Sequence, residues 1–324
     1  DEWAAAQGAD AIVFHPKTLG AYHIAEKLGI PTCLSMALPA YTPTRAFSNP
    51  ILPPAVGKLG VFNKLSYGVT RMAAAPYIDV INDFRVHTLG LAARGRFAND
   101  LIDPAGRPVP AIYSYSPHVI PTPPDWPSSA AALGYWFLDR LDDWSPPADL
   151  TAFLEAGPPP VYVGFGSMPS SDPAARTRII LDAVRQAGVR AVIASGWGAL
   201  EARNLPDTVF AIKEAPHDWL FPRMAAVVHH GGAGTTAAGL RFGKPTIICP
   251  FMGDQPFWGS RVAALGIGPQ PIAQKRLTSD ALAAALREAT ANPVVRSRAE
   301  ALSEQIRAED GVSRAVEWIA ARLT

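Results

Sequence analysis

The residues best placed to do chemistry lie in one short run, Val227-Val228-His229-His230-Gly231-Gly232-Ala233-Gly234-Thr235-Thr236. An apolar strand runs into glycines and then opens a helix. Glycines let a backbone approach a ligand closely. The first turn of a helix leaves N–H groups unpaired and carries partial positive charge. Together these predict an anion site that suits a diphosphate, built on Gly232, Ala233 and Gly234. Thr235 and Thr236 would add hydroxyl donors, and His230 an imidazole donor. The same run also reads as a tight strand–helix turn capped by threonine.

Two further segments belong beside it. Gly164-Phe165-Gly166-Ser167 is a second glycine turn after an apolar strand. Pro169 and Ser170 stand where a dinucleotide fingerprint would need its third glycine, so NAD binding is not expected. Contact with phosphate through Gly166 and Ser167 is. Pro250-Phe251-Met252-Gly253-Asp254-Gln255-Pro256 follows another short strand. Asp254 and Gln255 would offer two acceptors and an amide donor to sugar hydroxyls. Read alone, the motif favours Asp254 as a helix N-cap, and Asp254 could cap and bind.

The elements that must position these residues alternate regularly. Ala11–Phe14, a helix over Thr18–Leu28 ending at Gly29, and Thr32–Ser35 form a β-α-β unit, which requires parallel strands. Ala55–Leu91 reads as mostly helical, and Ala111–Ser114 and Leu133–Phe137 as strands. Prolines 146, 147, 158, 159 and 160 mark a boundary. Strands at Val161–Phe165, Arg190–Ser195, Val209–Ile212, Ala226–His229 and Thr246–Cys249 then alternate with helices near Pro173–Ala187, Ala233–Phe242 and Gln255–Leu265. Ser279–Leu323 is helical. The expected architecture is α/β, two doubly wound Rossmann-like domains facing across a cleft. Residues 1–140 would form the first and 161–305 the second, with 141–160 as linker. The last helix, 306–324, would return towards the first domain on Trp318.

With 324 residues, 48% of them hydrophobic, the chain can bury two cores. A net charge of +1 gives no bulk attraction for nucleic acid. Cys33 and Cys249 cannot make a disulfide framework and fit a reducing compartment. No apolar run approaches the roughly 18 residues of a membrane helix. Cytoplasmic placement is expected, with room for peripheral membrane contact.

The three motifs, in this order, resemble the donor-binding domain of family 1 and related GT-B glycosyltransferases. The resemblance covers Val161 to Pro269 and is most specific from His229 to Gln255. It implies that His230 and Thr235 contact the diphosphate. It also implies that Asp254 and Gln255, the latter 25 positions after His230, hold the sugar. Two departures stand out. Glu214, before Ala215-Pro216-His217, occupies the place of the tryptophan that covers the base in plant members. Ala238 stands where those members carry a ribose-binding glutamate. Trp197 is then the candidate to cover the base, with Ala215 and His217 beside the nucleoside, and UDP and dTDP both remain open. These departures suit the bacterial and sterol-type branch. His23-Ile24-Ala25-Glu26-Lys27-Leu28-Gly29-Ile30-Pro31 and Tyr41-Thr42-Pro43-Thr44-Arg45-Ala46-Phe47 also resemble sterol 3-beta-glucosyltransferases and glycopeptide-antibiotic transferases.

The resemblance implies inverting transfer of a hexose from a UDP- or dTDP-sugar to a hydroxyl of a lipophilic small molecule, such as a sterol or a polyketide-like product. It implies no metal and no cofactor beyond the sugar nucleotide, and no Asp-x-Asp motif occurs in the chain. Its general base would come from the first strand-turn of the N-terminal domain. That segment is not found, so the first domain is expected to be incomplete. His15, at a strand's carboxyl end, is the best substitute, although it reads more readily as a loop histidine near the cleft. His23 is expected to be packed, and His229 to orient His230. Met36–Pro54 reads either as an apolar acceptor lining or as a proline-stiffened loop. A helical stripe through Val56, Leu59, Phe62, Leu65 and Val69 reads as core. Trp219, Phe221, Phe257 and Trp258 read as packing. Two rivals are a nucleotide-sugar 2-epimerase-like enzyme and a donor-binding fragment without catalysis.

Overall fold

The structure is a computed structural model that describes residues 2–53, 60–99, 101–103, 105–138, 144–166, 168, 172–195 and 205–323. The chain divides into two compact units, one of Asp1–Trp136 with Glu309–Thr324, the other of Phe137–Ala308.

The first unit is built on four parallel strands in sequential order. They are β1 (Ile12–Phe14), β2 (Thr32–Met36), β3 (Ala111–Tyr113) and β4 (Ala130–Ala132). A single turn, α1 (Glu2–Ala5), precedes β1, and helix α2 (Ala21–Leu28) connects β1 to β2. Gly29 ends α2 in the left-handed region, φ 66°, and its N–H caps carbonyls of the last turn. The buried face of α2 includes His23, as expected. The strand expected at Leu133–Phe137 instead lies at Ala130–Ala132, with Ala111 opposite Ala130. Three alanines give little β signal. Gly134, at φ 101°, turns the chain out of the ladder before the more apolar residues that follow.

The helical region is a string of short helices, α3 (Gly60–Ser66), α4 (Gly68–Ala74) and α5 (Ile78–Asp83). Pro76 lies in a 3-10 turn between the last two, and a π-helical turn covers Phe84–Thr88. That π turn aims Arg85 at α2. Its guanidinium grips Glu26 with both nitrogens, at 2.7 and 3.0 Å, and donates to His23 Nδ1 at 2.9 Å. In α3, Phe62 and Leu65, from the stripe expected to be core, are instead 59% and 67% exposed, and Val56 and Leu59 lie outside the described residues. The C-terminal helix, Gly311–Leu323, packs Ala315, Trp318 and Ile319 onto Cys33, Ile112 and Leu133.

The second unit carries five parallel strands, β5 (Val161–Gly164), β6 (Ala191–Ala194), β7 (Val209–Ile212), β8 (Ala226–His229) and β9 (Thr246–Ile248). Their order is β7-β6-β5-β8-β9. Such runs are apolar throughout because helices cover both faces. On one face α7 (Pro173–Ala187) and α11 (Ser279–Ala291) seal a core with Val163, Phe165 and Leu286. On the other, α6 (Ala148–Glu155), α8 (His217–Leu220) and α9 (Ala233–Arg241) seal a second core around Tyr162 and Val227. Helix α6 lies in the stretch expected to be linker, yet Leu150 is fully buried in this core. The C-terminal helical run is three helices, because Pro293 opens a new one after Asn292 and Gly311 another. Residues 255–264 form α10 (Gln255–Ala264).

Candidate functional site

In an open parallel sheet, a crevice forms outside the carboxyl ends of the strands where the strand order reverses. Here that point lies between β5 and β8, with Gly164 paired opposite His229 and His229 opposite Ile248. The three motifs read from the sequence leave the sheet side by side at these ends.

Side-chain geometry shows how tightly they converge. Gly231 has φ 96°, and a Cβ there would fall 2.7 Å from Ile248 Cγ2 and 3.2 Å from the Gln255 carbonyl. Gly166 has φ 57°, and a Cβ there would meet His230 Cε1 at 3.3 Å. At Gly232, a Cβ would fall 2.6 Å from His230 Nε2. The β5 loop therefore closes on His230 and the β9 loop on Gly231, and two of these glycines also need a left-handed backbone.

His229 is fully buried, and its Nδ1 accepts the Gly231 N–H at 3.0 Å. Its proton is therefore on Nε2 and the ring is neutral, in keeping with a pKa held well below the usual value by burial. It acts by folding the glycine turn rather than by meeting a ligand. His230 is half-buried, and its Nδ1 is enclosed without a partner among the described residues. Burial lowers its pKa, and the Asp254 carboxylate pulls the other way.

Helix α9 opens at Gly232, which caps it without a side-chain hydrogen bond, and its first turn carries no acid. The N–H groups of Ala233, Gly234 and Thr235 thus face the crevice mouth as unpaired helix donors. Space around Gly234 is open. Thr236 departs from expectation. It is fully buried, and its hydroxyl donates back to the Gly232 carbonyl at 2.9 Å, so it locks the first turn and offers no proton to a phosphate.

The Asp-Gln pair also works differently from its reading in sequence. Asp254 stands at the N-cap position of α10 but makes no capping bond. Its Oδ2 accepts the indole N–H of buried Trp258 at 2.9 Å, leaving Oδ1 for a ligand. Gln255 is buried. Its Oε1 accepts the Phe251 and Met252 N–H groups at 2.7 and 3.3 Å, and its Nε2 reaches Met168 Sδ at 3.4 Å. The Gln255 carbonyl is thus spent on shaping the loop, and only its amide N–H can serve a hydroxyl. Trp258 was read as packing alone. Its N–H at i+4 from Asp254 was the signal that it also orients the carboxylate.

His217, at the start of α8, stacks on Phe221 with ring centroids 4.2 Å apart. It lines a cavity of about 280 Å³ together with Asp218, Ala238, Arg241 and Phe242. His217, read as lying beside the nucleoside, and Ala238, where plant members carry the ribose-binding glutamate, therefore share one cavity. Ala215 does not join them there. It packs on the core around Tyr162. Trp197 and Ser167 lie outside the described residues. Among those residues, no group of three or more His, Cys, Asp or Glu side chains converges as metal ligands would.

In the first unit, His15 follows β1 and lines a cavity of about 570 Å³ with Phe14, Leu34, Met36, Tyr41 and Ile51. Met36, Tyr41 and Ile51 come from the loop expected to line an acceptor pocket. The same loop is also well packed, with Asn49 donating to the Ala40 carbonyl at 3.0 Å. His15 Nδ1 accepts the Lys17 N–H at 3.1 Å. In its neutral form the ring then carries its proton on Nε2, which the bond to Lys17 orients. A second cavity, of about 710 Å³, is lined by Tyr67, Asp125 and Trp126 and shares Tyr41, Thr70, Asn99 and Leu101 with the first.

Known proteins resemble this chain in sequence and in fold. Residues 178–318 match the family described as erythromycin biosynthesis protein CIII-like, C-terminal domain. The chain is 41% identical over 310 residues to the sterol 3-beta-glucosyltransferase UGT80A2 of Arabidopsis thaliana. That alignment covers 95% of this chain but 48% of the relative, so the chain spans about half of that protein's length. Among solved structures, the glycosyltransferase of kitacinnamycin superposes with a TM-score of 0.70 at 20% identity, over 99% of this chain and 78% of that one. The glycosyltransferase VinC, solved in complex with dTDP, gives 0.63 at 20% identity, over 98% and 73%. The chain therefore has the GT-B fold of the glycosyltransferases, and its residues 178–318 match the EryCIII-like C-terminal domain.

Proposed function

We propose that this chain binds a UDP- or dTDP-hexose and belongs to an enzyme that transfers the hexose, with inversion and without metal, to a hydroxyl of a lipophilic molecule of sterol type. The observation that carries this reading is the convergence of Gly166, His230, the open first turn of α9 and Asp254 at the strand-order reversal. A diphosphate placed there would meet three backbone N–H groups, a neutral imidazole donor and the Thr235 hydroxyl. These donors stabilise the charge that grows on the leaving diphosphate as the glycosidic bond breaks. The free Asp254 oxygen and the Gln255 amide N–H would orient the sugar ring. The cavity around His217 and Ala238 would take the nucleoside. In the first unit, the apolar cavity lined by Phe14, Leu34, Met36 and Ile51 has the size and lining for a fused-ring alcohol.

Similarity to a sterol 3-beta-glucosyltransferase along nearly all of the chain supports this reading over an epimerase, which would need no apolar pocket. UDP-glucose is the favoured donor on the same ground. The test is calorimetry with UDP, dTDP and UDP-glucose. Micromolar binding is expected, weakened about 10- to 100-fold in His230→Ala, the effect of losing one hydrogen bond to a charged group. No heat with any of the three would refute the assignment. Transfer from UDP-glucose to a sterol, assayed alongside, reports separately on the acceptor half.

A further inference from the structure

A closed circuit of contacts joins the residues that follow β5 to those that follow β9. Phe165 is fully buried, and its carbonyl accepts the Met168 N–H at 3.2 Å. Its ring meets that of Phe251 edge-on, with centroids 5.9 Å apart. The Phe251 N–H donates to Gln255 Oε1 at 2.7 Å, and Gln255 Nε2 donates to Met168 Sδ at 3.4 Å, which returns the circuit to its start. The Arg176 guanidinium lies over both phenyl rings, 5.7 Å from the centre of Phe165 and 4.8 Å from that of Phe251.

This circuit fixes which way the Gln255 amide faces. The Phe251 and Met252 N–H groups both point at one end of it. Only the carbonyl oxygen can accept them, because a flipped amide would set its own hydrogens against two donors. The nitrogen is therefore held at the other end, where Met168 supplies the acceptor. An amide nitrogen carries two hydrogens. The thioether takes one, which leaves the other for a ligand. Gln255 is only 6% exposed, so an amide hydrogen without an acceptor would carry a desolvation cost there. A leucine at position 168 would fill much the same space and accept nothing.

We propose that Met168 is a positioning residue for the hexose: its sulfur holds one Gln255 Nε2 hydrogen and so aims the second at the sugar ring. The turn that brings Gly166 against His230 thereby also sets the amide that reads the sugar. This inference rests on the donor site proposed above and adds a residue to it.

The experiment is calorimetry of the whole chain with UDP and with UDP-glucose, comparing the wild type with Met168→Leu. That substitution nearly conserves volume and removes the acceptor. The affinity for UDP-glucose relative to UDP is expected to fall about three- to tenfold, the effect of one hydrogen bond, with UDP affinity and the thermal midpoint unchanged. Gln255→Glu supplies the background that isolates the pair. It keeps an oxygen for the Phe251 and Met252 N–H groups and has no amide hydrogen for the sulfur. There, adding Met168→Leu should leave the ratio where it stands. The proposal is overturned by an unchanged ratio in Met168→Leu, by a parallel loss of UDP and UDP-glucose binding, which a packing role would produce, or by a further fall of the ratio in the Gln255→Glu background. A wild type that binds no UDP would remove the donor reading and this proposal with it, a result distinct from a flat ratio in a chain that does bind UDP.

Discussion

At the scale of single residues, Gly231 is the most constrained position of the candidate site. Its φ of 96° excludes side chains on backbone grounds, and the space a Cβ would need is filled by Ile248 and the Gln255 carbonyl. Gly231→Ala is expected to lose about 2 kcal/mol of stability or more. It should also abolish UDP binding, because relief of the clash must move either the turn or the loop that carries Asp254. Urea unfolding and calorimetry on the same sample would show both effects. Stability unchanged, with binding intact, would mean that the turn is built differently. His229 and Thr236 illustrate a related point. Both were candidates for ligand contact or its orientation, and both are fully buried supports, the first holding the Gly231 N–H and the second the Gly232 carbonyl.

At the scale of elements, α9 is a helix whose start has been left without a cap and without an acid. Stability alone would favour Asp in that first turn, by about 0.3–1 kcal/mol through the helix dipole. An anion site requires the opposite. Gly234→Asp therefore has a prediction of mixed sign. The site has room for a side chain, so the melting temperature should stay level or rise, while UDP affinity should fall at least about tenfold through like-charge repulsion. A variant that loses both stability and binding would indicate misfolding of the turn. A variant that keeps its affinity would place the diphosphate elsewhere.

At the scale of the whole molecule, pH should act through the buried cluster of His23, Glu26 and Arg85. Burial and the neighbouring Arg85 and Arg94 guanidiniums lower the His23 pKa to about 4, against a partial pull upward from Glu26. The folded state thus resists protonation that the unfolded chain accepts near pH 6.5. Stability is full above pH 6.5 and falls as pH drops from there towards 4, by ~3 kcal/mol from this group. Burial also lowers the pKa values of His217, His229 and His230, which adds to the slope in the same direction. His23→Gln cannot titrate and should flatten the dependence between pH 6.5 and 4 in urea unfolding at several pH values. An equal slope in the variant would remove His23 as its cause.

Much of this protein was fixed by local pattern. Five short strands that are apolar nearly throughout read as buried parallel strands, and their spacing leaves room for one helix between most pairs. A glycine turn opening an uncapped helix suits an anion from sequence alone, because the donors belong to the backbone. Sequence therefore determined the α/β class, the second unit's alternation and the placing of His230, Asp254 and the α9 start at neighbouring strand ends. Other properties depend on neighbours distant in the chain, and only the tertiary structure decided them. Which histidine faces the crevice depends on the pairing of His229 with Gly164. Which atoms of Asp254 and Gln255 remain free depends on Trp258 and on the Phe251 and Met252 amides. Most of all, the 3.6-residue stripe through Phe62 and Leu65 states that one side of a helix is apolar, but not whether that side meets a core or the outside. Periodicity is a property of one helix, whereas burial is a property of what packs against it.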